Sequence, residues 1–477
     1  MNTEPEKGSR LNKKLAVVIM AAGKGSRLKS SRPKVLHEIG GKPLLSYVIT
    51  TAAQLAENED IHVVIGHGAE RVRETVGGTG VRFVEQKQQR GTGHAIQCAR
   101  EAIAKYDHIL VLSGDVPLIK VDTLQHLMTL HLAEGAAMTI LTATQENPTG
   151  YGRILRRAPD LPEVDAIVEQ PSLKPGQESI HEVNTGIYAF KVGPLLARLD
   201  KLSNKNAHGE FYLTDMAEHL RAAGEKVAGL LAASAEEVRG ANTIAELVAL
   251  DAGLREATAN RLMANGVTIF RPETCVIDAE VEVEPDTIIE PFVQLLGKTK
   301  IGARCRIRSY SVIESCTLAN DVLIQNGCIM ENSTVMESAQ LGPYTHLRPE
   351  SEIGPHAHLG NFVETKKTKV GRGAKANHLT YLGDTEVGAG TNIGAGVITC
   401  NYDGTRKSPT RIGEGAFVGS DTTLVAPIEV GDRAYIGAGS CITRDVPAGA
   451  LAVGRSRQVT KEGWADARRA RNDAEKK

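Results

Sequence analysis

The segment Ile277–Ile313 reads IDAEVEVEPDTIIEPFVQLLGKTKIGARCRIRSYSVI, and a branched aliphatic residue stands at every sixth position along it. A helix would space apolar residues three and four apart, and an ordinary strand would alternate them, so neither explains this period. A fixed period of six is typical of hexapeptide repeats, in which three short strands close one coil of a parallel β-helix. The sequence therefore predicts a three-sided prism in which Ile277, Leu295 and Ile313 stack on one face.

The same period continues through most of the C-terminal half, with a slip of one residue after Ile313. A β-sandwich is the alternative, but its irregular loops would not keep a fixed period. Small residues beside the aliphatic positions are expected at corners that need a positive φ or a close approach of two backbones. The aliphatic positions are Ile277, Val283, Ile289, Leu295, Ile301, Ile307, Ile313, Leu318, Ile324, Val335, Leu341, Leu347, Ile353, Leu359, Ile412, Val418, Leu424, Val430, Ile436 and Ile442. The small residues are Gly302, Gly388, Gly394, Gly413, Gly431 and Gly437.

Length and composition restrict the possible functions. A chain of 477 residues that contains a long solenoid indicates two domains. A net charge of −1 gives no electrostatic basis for binding nucleic acid. The seven cysteines show no CxxC spacing, which indicates free thiols in a reducing cytosol, and no apolar run is long enough to span a membrane. The polar segment 1–14 is expected to be a disordered leader.

The N-terminal half opens with an apolar run, Leu15–Met20, which predicts a buried parallel strand. It leads into the glycine-rich, basic turn Ala21–Arg27, and a turn of this kind after a strand can cradle a phosphate. The turn lacks the patterns of dinucleotide-binding folds and P-loop ATPases. A later strand, Ile109–Leu112, ends in Ser-Gly-Asp, so Asp115 is a candidate Mg²⁺ ligand, with a helix cap or a turn as the alternative.

An ordered series of motifs then places the chain in a family. MAAGKGSR, SRPKVL, QQRGTGHA, SGDVP, PTGYGRI, IVEQ, EVNTGIY and NKNAHGEFYLTD follow one another. The series resembles the sugar-nucleotide pyrophosphorylases, and most closely the bifunctional bacterial enzymes of UDP-N-acetylglucosamine synthesis, from Leu15 to about Glu462. The resemblance implies an α/β uridylyltransferase domain with a Rossmann-like, mostly parallel sheet at 15–242, a linker helix at 243–266, and a left-handed parallel β-helix of hexapeptide repeats at 267–477 that carries N-acetyltransferase activity and ends in a tail.

For the first domain, the resemblance implies uridylyl transfer from UTP to N-acetylglucosamine-1-phosphate. Arg27 and Lys34 would neutralise phosphate charge as catalytic residues, and Asp115 and Asn242 would hold Mg²⁺ as the cofactor. The residues that would bind UTP or the nucleotide sugar are Met20, Ala21, Ala22, Gly23, Lys34, Gln86, Gly91, Thr92, Ser113, Gly114, Asp115, Gly152, Glu169, Asn184 and Asn242.

In the C-terminal half, sites are expected where the period fails, because inserts in a solenoid project as loops on one face. The period is lost from Lys366 to Tyr381 and again from Thr399 to Arg411, which reads TCNYDGTRKSPTR. His378 in the first gap is a candidate general base, with a solvated turn residue as the alternative. By the resemblance, His378 would take a proton from the amine of glucosamine-1-phosphate, which then attacks acetyl-CoA.

The resemblance also implies the partners of His378. Glu364 would orient its ring. The residues that would bind glucosamine-1-phosphate are Arg348, Lys366, Tyr381 and Asn392. The residues that would bind acetyl-CoA are Ala395, whose N–H is a candidate oxyanion donor, Asn401, Tyr402, Ser420, Ala438 and Arg455.

These positions are spread along a rigid prism, so one subunit is not expected to gather them all. The resemblance implies a cytoplasmic homotrimer with acetyl sites between subunits. The tail, Asp466–Lys477, is expected to be solvated and unstructured, with a frayed helix as the alternative. Two other functions stay open: a single-activity pyrophosphorylase whose β-helix only oligomerises or senses effectors, and a non-catalytic scaffold.

Overall fold

The computed structural model describes residues 14–158, 161–206 and 208–475. The predicted leader therefore lies outside the described residues, except for Lys14, whose carbonyl accepts a hydrogen bond from the Asp107 N–H at 2.9 Å. The chain divides into two compact units, Met1–Leu254 and Arg255–Lys477, and the division falls inside the helix Ile244–Ala264. In the part of the chain that the structure describes, no helix is long and apolar enough to cross a membrane.

The first unit is built from a sheet with helices on both sides. Its elements, in chain order, are β1 Leu15–Ala21, β2 Glu38–Ile39, β3 Lys42–Pro43, α1 Leu44–Ala52, β4 Ile61–Ile65, α2 Ala69–Val76, β5 Arg82–Glu85, α3 Thr92–Ile103, β6 His108–Ser113, α4 Val121–Ala133, β7 Met138–Thr144, β8 Arg153–Arg156, β9 Val164–Val168, β10 Glu182–Lys191, α5 Val192–Arg198, α6 Met216–Arg221, β11 Val227–Leu231 and α7 Ile244–Ala264.

Strand β1 lies inside the main sheet, whose order is β11-β7-β10-β6-β1-β4-β5. It pairs in parallel with β4 and β6, whereas β10 is antiparallel to β6 and β7. Val17 and Ile19 enter one hydrophobic core, and Ala16 and Val18 enter the core on the opposite side. Burial on both sides explains the continuous apolar run, and the predicted, mostly parallel sheet is confirmed. The carboxyl ends of β1, β4, β5 and β6 therefore meet at one edge, which positions the first candidate site.

The second unit is a stack of short strands followed by a helix. The elements are β12 Thr268–Ile269, β13 Val276–Ile277, β14 Glu282–Val283, β15 Ile288–Ile289, β16 Gln294–Leu296, β17 Lys300–Ile301, β18 Arg306–Ile307, β19 Val312–Glu314, β20 Thr317–Leu318, β21 Leu323–Ile324, β22 Ile329–Glu331, β23 Thr334–Val335, β24 Gln340–Leu341, β25 His346–Leu347, β26 Glu352–Ile353, β27 His358–Asn361, β28 Glu364–Lys366, β29 Lys369–Val370, β30 Lys375–His378, β31 Tyr381–Gly383, β32 Thr385–Val387, β33 Asn392–Ile393, β34 Ile398–Cys400, β35 Thr410–Ile412, β36 Phe417–Val418, β37 Thr423–Val425, β38 Ile428–Val430, β39 Tyr435–Ile436, β40 Cys441–Ile442, β41 Leu451–Ala452 and α8 Trp464–Glu475.

Every third strand belongs to the same parallel sheet, so the strands form three faces. The first face runs from β12 to β39 and adds β41, the second runs from β13 to β40, and the third runs from β14 to β38. Ile277 is in register with Leu295, and Leu295 with Ile313, as predicted. The inward side chains form one continuous core. The predicted left-handed parallel β-helix of hexapeptide repeats is therefore confirmed.

The period does not fail between Lys366 and Tyr381, and that part of the prediction was wrong. The coils continue through this segment as β28 to β31, with Thr365, Val370, Ala376 and Leu382 buried inside the prism. Threonine and alanine occupy inward positions that elsewhere carry branched aliphatics, so the pattern of aliphatic residues could not show the repeat. Polar outward residues here lie on a regular face.

The corner glycines meet the need for close approach. A Cβ on Gly388 would lie 2.4 Å from the Gly413 backbone, and a Cβ on Gly431 would lie 2.4 Å from the Ala448 backbone. Positive φ falls on other corner residues, such as Phe292 at 65° and Tyr310 at 67°. Glycine is thus required at these corners because successive coils touch there, and not because of its backbone freedom.

The insert after Thr399 is a true interruption, because a bridge between Tyr402 and Lys407 folds it back on itself before β35 resumes the coil. At the far end, Val446 bonds to the backbone of the preceding coil and is buried, as expected of a cover for the open end. The tail contains the helix α8, all of whose described residues are exposed. The preferred expectation of an unstructured tail was therefore wrong, and its helical alternative was right.

Candidate functional site

The first candidate site begins in the turn after β1. Gly25 has a φ of 60°, and a Cβ on it would lie 2.7 Å from the Cβ of Lys34. Only glycine lets the turn adopt this conformation over Lys34. Gly25 is thus a further residue of the site, and the second glycine of the GKG turn is its signal in the sequence. Gly23, in contrast, has nothing within 4 Å of an added Cβ, which leaves space beside the turn.

Lys34 joins the two predicted metal ligands. Its Nζ forms an ion pair with Asp115 Oδ2 and donates a hydrogen bond of 2.8 Å to Asn242 Oδ1. Arg27 donates to the same Asn242 oxygen at 2.7 Å from Nη2. Residues separated by as many as 215 positions in the chain are thus brought to one point, at the carboxyl ends of β1 and β6.

The two ligands suit a hard cation. The Asp115 carboxylate and the Asn242 amide oxygen both contact the Lys34 ammonium group, so the two oxygens converge on one positive charge. Oxygen ligands, few of them from the protein, are what Mg²⁺ prefers when a substrate phosphate completes its shell. Within the described ranges, no group of three or more His, Cys, Asp or Glu residues could hold a metal. The residues present therefore fit a magnesium ion that is shared with a phosphate.

The start of α7 fixes the backbone of Asn242. Glu246 accepts hydrogen bonds from the N–H groups of Asn242 at 2.6 Å and Thr243 at 3.2 Å. The Glu246 N–H donates in return to Thr243 Oγ1 at 3.2 Å. This reciprocal pair is a capping box, and its sequence signal is Thr-x-x-Glu at the start of the helix. Thr243 and Glu246 therefore hold Asn242 in place, a role that spacing alone did not reveal.

The residues assigned to the nucleotide base lie at the next strand ends. Gln86 is buried directly after β5, and its Nε2 donates to the Gly91 carbonyl at 3.1 Å. A Cβ on Gly91 would lie 2.5 Å from the Phe211 carbonyl, so only glycine fits there. Thr92 begins α3, and its hydroxyl oxygen accepts a hydrogen bond from the Leu213 N–H at 3.0 Å.

Gly66 connects this group to the turn after β1. It follows β4, and a Cβ on it would lie 2.9 Å from both the Ala22 Cβ and the Gln86 carbonyl oxygen. The Ala21 and Ala22 side chains are buried, so these residues can meet a ligand only through the backbone. Gly66 was missed, although a glycine directly after a buried strand is the signal of such a close approach.

The remaining predicted residues of this unit are also brought together. The Asn184 N–H donates to the Gly152 carbonyl at 2.9 Å, and Glu169 Oε2 would lie 3.5 Å from a Cβ on Gly152. Asn184 Oδ1 accepts from the Gly186 N–H at 3.1 Å, and Ser113 Oγ would lie 3.2 Å from a Cβ on Gly186. The Gly114 N–H donates to the Met20 carbonyl at 3.0 Å, which closes the group around the end of β1.

The second candidate site lies on the second face of the prism. Arg348 Nη1 donates to Glu364 Oε1 at 3.2 Å, and Glu364 is in register with Tyr381 on the next coil. Lys366 is in register with Gly383. A Cβ on Gly383 would lie 2.5 Å from the Tyr381 hydroxyl, so the missing side chain makes room for the ring. Three of the residues predicted to bind the sugar phosphate, Arg348, Lys366 and Tyr381, therefore share one face.

Lys407, in the insert, is a further cation of this site that the sequence did not single out. Contact with the Lys407 side chain, and then the charges of Lys407 and Arg348, lowers the pKa of Lys366, while Asp384 acts in the opposite direction. Cations this close together form an anion-binding cluster. A lysine in an insert that folds over a polar face is the signal that could have identified it. Asn401, at the base of the insert, donates to Asp384.

His378 lies at the corner between the first and second faces, and it is exposed. Glu364, which was predicted to orient its ring, bonds instead to Arg348, and among the described residues no hydrogen bond joins Glu364 to His378. Asn392 lies on the first face, in register with Lys375 and Phe417. One chain therefore does not gather Asn392 with the other sugar-phosphate residues, and the orienting role of Glu364 stays a prediction.

The residues assigned to acetyl-CoA form a column that starts at His378. The His378 carbonyl accepts a hydrogen bond from the Gly396 N–H at 3.3 Å, and the Ala395 carbonyl accepts one from the Asp421 N–H at 2.7 Å. The Ser420 carbonyl accepts one from the Gly439 N–H at 2.7 Å, so His378, Ala395 and Ser420 lie on successive coils. Ala438, before Gly439, continues the column, and the Cδ of Arg455 would lie 3.8 Å from a Cβ on Gly439. Asn401 and Tyr402 lie at the other margin of the second face, where the insert begins.

Comparison with known proteins gives matches in both units. The family model described as MobA-like NTP transferase domain matches residues 17–206, and the model described as bacterial transferase hexapeptide (six repeats) matches residues 409–444. A protein of Koribacter versatilis named "Bifunctional protein GlmU" is 60% identical over 466 residues, which are 98% of this chain and 99% of the relative. Proteins with the same name from Solibacter usitatus and Syntrophotalea carbinolica are 51% identical (95% of this chain, 97% of the relative) and 46% identical (94% and 96%).

Proposed function

Because this chain belongs to the family of bifunctional GlmU proteins, we propose that it carries out two successive transfers in UDP-N-acetylglucosamine synthesis. It acetylates glucosamine-1-phosphate with acetyl-CoA, and it then transfers uridylyl from UTP to N-acetylglucosamine-1-phosphate. We assign uridylyl transfer to residues 15–242 and acetyl transfer to residues 267–477, with 243–266 as the linker helix. The observation that carries the proposal is that each unit has its own cluster of cations, Lys34 with Arg27 and Lys366 with Arg348, each suited to a phosphate.

In uridylyl transfer, a phosphate oxygen of N-acetylglucosamine-1-phosphate attacks the α-phosphorus of UTP. The new P–O bond forms as the bond to the β-phosphate breaks, and pyrophosphate leaves. The attacking oxygen is already anionic, so no general base is needed, and positioning with charge neutralisation supplies the catalysis. Arg27 and Lys34 converge on the same amide oxygen, which places two cations where the triphosphate would lie.

Magnesium fits this proposal as the cofactor. Asp115 and Asn242 would hold the ion, which supplies further neutralisation of the phosphate charge when it is bound. The protein fixes the positions of both ligands. The capping box holds Asn242, and Lys34 holds the Asp115 carboxylate close to Asn242 by contacting both residues.

In acetyl transfer, we propose that His378 removes a proton from the amine of glucosamine-1-phosphate. The freed lone pair of the nitrogen attacks the thioester carbonyl, the N–C bond forms, the C–S bond breaks, and the leaving sulfur takes the proton from the His378 imidazolium, so that CoA leaves as the thiol. An imidazole is suited to this step because one ring nitrogen can accept a proton and release it again within the same reaction. The Ala395 N–H takes part in no backbone hydrogen bond within the described residues, which supports its role as a donor to the oxyanion.

Lys407 offers a direct test of the sugar-phosphate cluster. Lys407→Ala is expected to raise KM for glucosamine-1-phosphate about tenfold, because a hydrogen bond to a charged group is lost. Initial rates of CoA release at varied sugar phosphate would measure it. Lys369→Ala is the matched control, since Lys369 is an exposed lysine on the third face that pairs with Glu352 at 3.2 Å. A KM within twofold of the unmodified enzyme would contradict the role of Lys407.

We also propose a homotrimer whose acetyl sites lie between subunits. The support is that Asn392 lies on the first face and the column from His378 to Ala438 starts at the corner, whereas Arg348 and Lys366 lie on the second face, so we infer that a second chain completes one site. Most soluble homo-oligomers have closed symmetry, and a three-fold arrangement of identical chains would repeat the same site at each contact between subunits. Sedimentation velocity should give a mass three times 51.0 kDa, and a monomer with full acetyltransferase activity would refute the proposal.

One assay separates this function from its alternatives. The enzyme is given glucosamine-1-phosphate, acetyl-CoA, UTP and Mg²⁺, and free CoA and pyrophosphate are followed together. We expect both products, with pyrophosphate release dependent on acetyl-CoA. If pyrophosphate were released only when N-acetylglucosamine-1-phosphate was added, and no CoA were released, the protein would be a single-activity pyrophosphorylase. If neither product formed, it would be a scaffold.

Because its substrates UTP and acetyl-CoA are metabolites of the cytoplasm, we place the enzyme there, and its product would supply envelope polysaccharide synthesis.

A further inference from the structure

The amide of Gln86 has one defined orientation. Gln86 is 3% exposed, and its Nε2 lies 3.1 Å from the Gly91 carbonyl oxygen and 3.0 Å from His94 Nδ1. A carbonyl oxygen can only accept a hydrogen bond, so the amide nitrogen must face Gly91. The amide oxygen then points away from both partners. In the described part of the chain, no group donates a hydrogen bond to that oxygen. The oxygen is nevertheless not one of the fully buried side-chain atoms without a partner, so it keeps contact with the solvent.

The ring of His94 fits this orientation in one tautomer. Its Nδ1 must accept from the Gln86 amide, so the ring proton lies on Nε2, which is 3.8 Å from Cys98 Sγ on the next turn of α3. Burial and then the Arg90 charge lower the pKa of His94, although a hydrogen bond to the Gln88 backbone acts in the opposite direction. A neutral ring can accept at Nδ1, whereas a proton there would attract the amide oxygen and turn the nitrogen outward.

We propose that His94 is a positioning residue that sets the choice of pyrimidine nucleotide, by holding Gln86 with its amide oxygen presented to the base. This inference rests on the proposed uridylyl transfer and on Gln86, one of the residues expected to bind UTP, reading the uracil edge, as the family resemblance implies. Uracil carries a proton on N3 and can donate it to an outward-facing oxygen. Cytosine has a lone pair at N3, so the same oxygen would repel it. The site therefore selects UTP over CTP through an amide that the Gly91 carbonyl and His94 Nδ1 together hold in one direction.

Two substitutions at one position test the role of the Nδ1 atom. His94→Phe keeps a ring of similar size but removes the acceptor. His94→Asn places an amide oxygen near the position of Nδ1 and restores it. For each variant, kcat/KM is measured for UTP and for CTP, and nucleotide affinity is measured by calorimetry without the sugar phosphate. We expect the ratio of UTP to CTP to fall about tenfold in His94→Phe and to stay within about threefold of the unmodified enzyme in His94→Asn.

A purely structural role would change different quantities. Damage to the fold would lower the use of UTP and CTP equally and leave their ratio unchanged, and that result in His94→Phe would overturn the proposal. An equal loss of selectivity in His94→Asn would also overturn it, because the acceptor would then be irrelevant. Acetyl transfer in the same preparations reports that the rest of the chain is intact. If the unmodified enzyme formed no nucleotide sugar, the proposed function would fail, but the binding ratio of the two nucleotides would still decide the role of His94.

Discussion

His378→Ala is expected to slow acetyl transfer by about 10²–10⁴-fold, the usual contribution of general acid–base catalysis, and to leave uridylyl transfer unchanged. The amine of the sugar must lose a proton to attack, and His378 heads the column of residues assigned to acetyl-CoA. Release of CoA and release of pyrophosphate, measured separately on one preparation, give both rates.

His356→Ala is a suitable control for this change. His356 is also an exposed histidine at a corner of the prism, with a φ of 57°, but it lies outside the column. It should retain both activities. If His378→Ala instead lost both activities together, the histidine would be structural, and the base would have to be sought elsewhere on the second face.

Asp115→Ala is expected to have the complementary effect: it should nearly abolish uridylyl transfer, leaving less than about a tenth of the rate, while acetyl transfer continues. The substitution removes the only carboxylate among the two proposed metal ligands, and it also removes the ion-pair partner of Lys34. Steady-state pyrophosphate release at saturating Mg²⁺ is the measurement.

A graded series makes this test sharper. Asp115→Asn keeps an oxygen in place without its charge and should fall between the alanine variant and the unmodified enzyme. Asp122→Ala removes an exposed carboxylate from the first turn of α4 and should leave the rate unchanged. Retention of more than about a tenth of the activity in Asp115→Ala would remove the metal role from this residue.

The prism was predictable from the sequence because its core repeats one kind of side chain at one spacing. Ile277, Leu295 and Ile313 stack as the period requires. The prediction failed between Lys366 and Tyr381 because inward positions there are filled by smaller or polar residues such as Thr365 and Ala376. The buried Thr365 hydroxyl pairs with Ser351 Oγ at 2.8 Å, so the coil continues without an aliphatic signal.

The first site was predictable only in part. The predicted strand Ile109–Leu112 places Asp115 at a strand end, but nothing in the sequence pattern links it to Asn242, and that link came from the resemblance to a family. The contacts of Lys34 with both residues are tertiary, so no local pattern encodes them. Lys407 and Gly66 did have signals in the sequence, a lysine in the insert and a glycine directly after a buried strand, but the residues that they contact are distant along the chain.

The coils of the prism stack at a constant distance, so positions along one corner are equally spaced. Successive strands of a sheet are about 4.8 Å apart, so the residues from His378 to Ala438 mark equal steps along one edge. Side-chain substitutions can alter what each of these residues contacts but cannot change the distance between successive coils. Deleting one whole coil would bring Arg455 closer to His378 by the spacing of one coil. In the proposed function, the thioester of an acetyl-CoA bound near Arg455 would then be displaced from His378, while the hydrophobic interior of the prism stayed continuous.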